Sequence, residues 1–181
     1  MLALAGFPRQ EAADPGQPRP AILSAGPCRP SASAAVALGL SSGERVLAVR
    51  RLRSLSGHPA ALETIVLPLS RFPGLAAEDF ADPMFGVLAR RKYGLRPARA
   101  LSQWQAVACP QAEAKLLEIG AASPVFRVRR TSFDKHGRAL EHLDALVRGD
   151  LYGFQAELRE PDELGTSDRT NVGPVVPFRK S

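Results

Sequence analysis

An internal repeat constrains the fold of this chain more than any other feature. Leu38-Gly39-Leu40, Val46-Leu47-Ala48-Val49-Arg50-Arg51, a turn at Gly57 and Ala61-Leu62-Glu63 recur in the same order. The second copy is Leu117-Glu118-Ile119, Val125-Phe126-Arg127-Val128-Arg129-Arg130, a turn at Gly137 and Ala139-Leu140-Glu141. Each copy follows an Ala-rich segment, so the simplest account is a duplicated helix-strand-turn-strand unit.

Local chemistry supports this. Ser31 to Leu38 and Gln111 to Leu117 are rich in Ala and Leu, and the second starts just after Pro110, where a first turn tolerates proline. Both predict short helices. Arg45 to Arg53 and Val125 to Phe133 are rich in β-branched and long side chains, and each runs into a Gly-containing turn (Ser56-Gly57-His58, Lys135-His136-Gly137) followed by a second extended run. These predict hairpins. Between the copies, Asp82 and Pro83 suit the start of a helix over Met84 to Tyr93, and Ala100 to Ala108 reads as a further strand. The expected fold class is α+β, an antiparallel sheet with helices mainly on one face.

Residues two apart on a strand share a face. Leu47, Val49, Arg51 and Arg53 therefore share one, as do Phe126, Val128, Arg130 and Ser132, so each apolar stripe runs into an arginine. The return strands carry carboxylates in the same way: Glu63 lies with Ile65 and Leu67, and Glu141 with Leu143 and Val147. A carboxylate in an apolar stripe is paired or loses its charge. Arg51 is the expected partner of Glu63, and Arg130 of Glu141, across each hairpin. Two outcomes are open from spacing alone. The pairs either fix register and nothing more, or surround one cleft for a small polar or anionic ligand.

The remaining sequence narrows the classes. Residues 1–29 are rich in Pro and Gly and are expected to be a mobile leader or linker; residues 30–158 form the domain, and residues 159–181 a poorly ordered tail. Hydrophobic content of 45% predicts a real core. A net charge of +6 permits a nucleic-acid partner, but acidic residues interleave with the basic ones and no zinc spacing or RNA-binding signature accompanies them. His58, His136 and His142 lack metal-ligand spacing, and two cysteines are too few for a zinc cluster or a disulfide framework. No nucleophile elbow is present. The expectation is a cytoplasmic chain with no metal, no cofactor, no catalytic residue and no membrane span.

Several motifs, taken in order, carry a resemblance. Val46 to Arg53 with Gly57-His58-Pro59 and Glu63 resembles the arginine-rich first hairpin of UTRA domains, the effector-sensing halves of HutC-type regulators in the GntR superfamily. Phe72-Pro73-Gly74-Leu75, Lys92-Tyr93-Gly94-Leu95, Ala112 to Leu117, Asp134 to Glu141 and Arg148-Gly149-Asp150-Leu151-Tyr152 match later parts. The resemblance implies a chorismate-lyase-like fold, a homodimer, and a cleft for a small metabolite such as a phosphorylated sugar or an amino-acid catabolite.

Carried over residue by residue, it puts ligand contacts at Arg51, Glu63 and Glu141, with Arg130 beside them. Arg96 and Arg99 fall where some members place a second anion-binding arginine. Two departures bear on a phosphate ligand. Asp82-Pro83-Met84-Phe85 replaces a hydroxyl-bearing segment, and Val147 replaces a tyrosine common in the family. The winged helix-turn-helix that precedes such domains has no counterpart in the Pro-rich first residues, so DNA contact is expected only through a module outside this chain. The competing readings are a chorismate-lyase-like enzyme and a dimerisation module with a degenerate cleft.

Overall fold

The computed structural model describes residues 20–75, 92–152, 156–157 and 171–172. The helix expected over Met84 to Tyr93 lies mostly outside the described residues, as does Asp82-Pro83-Met84-Phe85.

Strand β1 (Ala21–Cys28) leads to helix α1 (Ala32–Leu38) and the hairpin β2 (Val46–Leu55) and β3 (His58–Pro68). Strand β4 (Arg99–Ala108) leads to helix α2 (Gln111–Leu116) and the hairpin β5 (Pro124–Phe133) and β6 (Ala139–Arg148). The six strands form one antiparallel sheet in the order β1-β2-β3-β6-β5-β4. The two return strands meet at its centre.

Local chemistry explains the boundaries. Ser31 caps α1, its hydroxyl accepting from the Ala34 amide, and Gly39 ends the helix in the left-handed region at φ 61°. The first hairpin turns on Ser56 and Gly57, both at positive φ, as a two-residue turn between right-twisted strands requires. The second uses a longer loop, Asp134 to Arg138, in which the Asp134 carboxylate accepts from the His136 and Arg138 amides and from the Arg138 guanidinium. Those three bonds hold its carboxyl below the usual range even though burial pushes it up.

Ala21–Cys28, which its Pro and Gly content assigns to the leader, is instead a strand of the sheet. As an edge strand it needs only one hydrogen-bonded ladder, so it tolerates Pro27 and a register irregularity between Ile22 and Ser24. Its residues are exposed or half-buried, which is why it shows no alternating apolar pattern. The expected tail also contributes structure: Asn171–Val172 pairs with Ala156–Glu157.

Both described helices pack on the same side. Ala34 and Leu38 of α1 join Val46, Val66 and Ala139, while Ala114 of α2 and the adjoining Leu117 join Leu62, Val125 and Cys109. The other face, here called the open face, carries the largest core: Leu47, Val49, Ile65, Leu67, Val128, Leu143, Ala145 and Val147, with Phe72 and Tyr152 packed on them. The charged residues singled out from the sequence sit on this face.

Candidate functional site

Arg51 stands directly opposite Glu63, and Arg53 opposite Ala61, two residue pairs nearer the turn and on the same face. Arg51 Nε donates to Glu63 Oε2 at 2.6 Å, and Arg53 approaches Glu63 Oε1 at 3.6 Å. Glu63 is 1% exposed, Arg51 5% and Arg53 9%. The carboxylate is thus held between two guanidinium groups almost out of water. Arg53 follows from the same two-residue alternation that placed Arg51, but its contribution to the cluster is not evident until the register is known.

The second pair forms differently. Glu141 stands opposite Ser132, and Arg130 opposite Leu143, so the two meet on a diagonal, with Arg130 donating to Glu141 Oε1 at 3.1 Å. The expected face-to-face pairing is displaced because the Asp134 loop sets a different register from the two-residue turn of the first hairpin. A diagonal neighbour is about 7–8 Å away at the backbone, within reach of an arginine.

Both clusters lie on the open face, Glu63 on β3 and Arg130 on β5, with β6 between them. Strand spacing and the offset along the strands put their backbones on the order of 12 Å apart. Ile65, Leu143, Ala145 and Val128 fill the space between. Three guanidinium groups face two carboxylates on the described strands, leaving a surplus of one positive charge. Val147 is fully buried in this apolar layer, so it offers the face bulk and no hydroxyl.

Among the described residues, two buried polar atoms here have no hydrogen-bond partner. The Tyr93 hydroxyl and Arg130 Nε are both shut off from solvent and make no hydrogen bond. The Tyr93 ring packs edge-on against Phe72, centroids 5.1 Å apart. The unpartnered hydroxyl could not have been found without coordinates.

The two further arginines are not brought to this cluster. Arg99 lies over the Phe133 ring, 4.1 Å from its centroid, and Phe133 packs with the α1 side of the sheet. Alternation along β4 puts Arg99 on the face opposite Ala100 and Ser102, so it belongs to the helix side. Arg96 is exposed in the connection leading into β4.

The helix side holds a different feature, a cleft of about 530 Å³ between α1 and α2. Leu62, Thr64 and Leu146 contribute to its lining, together with the ion pairs Arg50–Glu113 at 3.2 Å and Arg127–Asp144 at 2.6 Å. His142 also lines it, bonded through Nδ1 to the Thr131 hydroxyl at 3.0 Å. Burial pushes its imidazole below 6.5, Asp144 opposes that shift and Arg129 reinforces it. Neither Arg51, Glu63, Arg130 nor Glu141 lines this cleft. Among the described residues no cluster of His, Cys, Asp and Glu could hold a metal, and no helix is long and apolar enough to cross a membrane.

The chain is similar to known proteins. The profile of the UTRA domain matches residues 15–153, including the edge strand β1. The chain is 33% identical over 119 residues to the HTH-type transcriptional repressor PhnF of Mycolicibacterium smegmatis, a match covering 66% of this chain and 48% of that protein. It is 28% identical over 121 residues to the repressor NagR of Bacillus subtilis, covering 66% and 49%. The chain therefore spans about half the length of the curated relatives it matches. The crystal structure of the PhnF effector domain superposes with a TM-score of 0.73 at 26% identity, covering 82% of this chain and 91% of that one. With the sheet, the helix-covered side and the arginine-glutamate hairpin in place, the chain belongs to the UTRA domain family, the effector-binding domains of GntR-family transcription regulators.

Proposed function

We propose that the open face of the sheet is the effector site, that it takes a small anionic or polar metabolite, and that Arg51, Arg53, Glu63, Arg130 and Glu141 contact it. The observation that carries this is the pair of buried arginine-glutamate clusters separated by an apolar floor, with one cation in excess. Charges kept this far from water cost several kcal/mol unless paired. A protein that needed only register could have used apolar residues there. A ligand that exchanges its own charged groups with the clusters gives the cost a use, and the guanidinium forks supply bidentate donors.

The domain acts within a transcription regulator. DNA contact belongs to a separate module, and effector binding is its role rather than catalysis. A homodimer forms by strand addition at the β4 edge. Arg99–Ala108 has no charge after Arg99 and no proline, whereas β1 is interrupted by an irregular register and Pro27. The matching strand-helix-strand-strand order of the two halves is read as a duplication that supplied one arginine-glutamate pair from each copy.

A second reading has one observation in its favour: the 530 Å³ cleft on the helix side falls within the volume of small-molecule sites. Its charged groups are already paired with one another.

The test is ligand-induced stabilisation. Phosphorylated sugars and short carboxylates are added to the parent chain and to Arg51→Ala, and the rise in Tm on adding each compound is compared. A ligand at about 100 times its Kd contributes roughly 2.7 kcal/mol. That rise should vanish in Arg51→Ala, and a full rise would show the pair to be structural only.

A further inference from the structure

We infer that the Tyr93 hydroxyl and Arg130 Nε–H belong to one subsite on the open face for an anionic oxygen of the ligand. The inference rests on the open-face reading and extends it to a residue and an atom that the arginine-glutamate pairs do not explain.

Both atoms are shut off from solvent, and neither has a hydrogen-bond partner among the described residues. A buried donor left unmade is costly, and the large majority of such side-chain groups in folded proteins are satisfied. Both lie on one face of one sheet, and each has donor capacity that the described residues do not use.

They also lie towards the same end of the sheet. Arg130 is on β5, two residues before Ser132, which stands opposite Glu141. Tyr93 is tied to that end from both directions. Its ring packs on Phe72, which follows β3 by four residues, and the chain beyond it returns to the sheet where the Ala98 amide donates to the Phe133 carbonyl. Tyr93 and Leu95 pack against the open-face core, so the tyrosine stands over the side of the sheet from which Arg130 projects.

The donors define the ligand group. Arg130 spends one terminal nitrogen on Glu141 and keeps Nε–H unused. A guanidinium Nε–H can only donate, and a tyrosine hydroxyl can donate alongside it. The atom that satisfies both is an acceptor, and beside a cation it is an anionic one, a carboxylate or phosphate oxygen. Lys92, whose Nζ lies 5.7 Å from the centre of the Tyr93 ring, adds positive potential nearby.

The experiment uses the full chain, two conservative variants of it, and Arg51→Ala. Tyr93→Phe deletes only the hydroxyl, and Arg130→Lys keeps the charge but has no Nε–H. Tm is measured in sodium phosphate, in sodium acetate, and in sodium chloride of matched ionic strength, near neutral pH.

Without the anions, Tyr93→Phe should melt at or above the parent temperature, because it removes a polar group that has no partner. With them, both variants should bind roughly tenfold more weakly or worse, the loss expected for one hydrogen bond to a charged group. A response to acetate alone identifies a carboxylate site and a response to phosphate alone a phosphate site. Either supports the subsite, as does a response to both.

A Tyr93→Phe variant that melts several degrees lower in chloride overturns it, since the hydroxyl would then have a protein partner. So does a parent chain that responds to neither anion. If Arg51→Ala abolishes the response while Tyr93→Phe and Arg130→Lys retain it, the subsite is wrong and the open-face reading stands. If all three variants retain it, both are wrong.

Discussion

Arg51 and Glu63 face one another directly across β2 and β3, Nε to Oε2 at 2.6 Å, with Arg53 closing on the same carboxylate from two residues further along the strand. The consequence is thermodynamic. Glu63→Ala leaves two nearly buried guanidinium groups without their shared anion, and breaking such a cluster costs about 3–5 kcal/mol. Urea denaturation of the variant in the absence of ligand measures it. A loss no larger than that of an ordinary surface substitution would contradict the buried-cluster description.

Arg127 and Asp144 provide the contrast. Their two hydrogen bonds, at 3.0 and 2.6 Å, are geometrically as good as the Arg51–Glu63 contact, but the side chains are 41% and 29% exposed. Water and salt screen such a pair, so Asp144→Asn should cost no more than about 1 kcal/mol, and less at high ionic strength. The same denaturation series, repeated at high salt, checks this. A larger, salt-independent cost would mean that the helix-side face is more sheltered than its exposure indicates.

His142 makes stability depend on pH. Burial is the main cause of its lowered affinity for protons, with Arg129 adding to the effect and Asp144 opposing it. The unfolded chain therefore takes up a proton near 6.5 while the folded chain still holds the ring neutral. Stability from this group is complete above 6.5 and is lost as pH falls from there towards the lower folded value. Asp134 acts in a separate window. Its lowered carboxyl contributes stability above 3.8 that disappears only in stronger acid. Unfolding free energies across the mildly acidic range should fall for the parent and stay flatter for His142→Gln. Identical slopes would remove His142 as the cause.

The β4 edge carries the assembly prediction. Leu101 is 58% exposed on a strand with no charge after Arg99, the kind of edge that pairs with another copy unless something blocks it. Light scattering over a dilution series should give a dimer for the parent and a shift towards monomer for Leu101→Lys. A parent that is monomeric throughout, or a variant that dimerises as well as the parent, would contradict pairing through this edge.

Much of this architecture was legible because the relevant signals are local. Alternation along Leu47-Val49-Arg51 and Phe126-Val128-Arg130 fixes which residues share a face, and Gly57 and Gly137 mark the turns. What escaped depends on relations between distant residues. β1 needed the exposed side of β2 to become a strand, since its own side chains bury little and Pro27 argues for a linker. The diagonal meeting of Arg130 and Glu141 depends on the Asp134 loop, whose length does not reveal its register. Arg99 looked like part of an anion site by position, but strand alternation turns it onto Phe133 on the other side of the sheet. Unpaired atoms such as Tyr93 Oη leave no trace in sequence.

The two faces of the sheet separate the proposed site from its rival, and arginine Nε–H resonances can report on each face individually. With the side chains assigned by substitution, phosphorylated sugars and short carboxylates are titrated into isotopically labelled chain until one binds. The account predicts that the Nε–H signals of Arg51, Arg53 and Arg130 shift together and saturate, while those of Arg50 and Arg127 in the helix-side cleft stay in place. Saturable shifts at Arg50 and Arg127, with Arg51, Arg53 and Arg130 unmoved, would put the ligand on the other face and contradict the account.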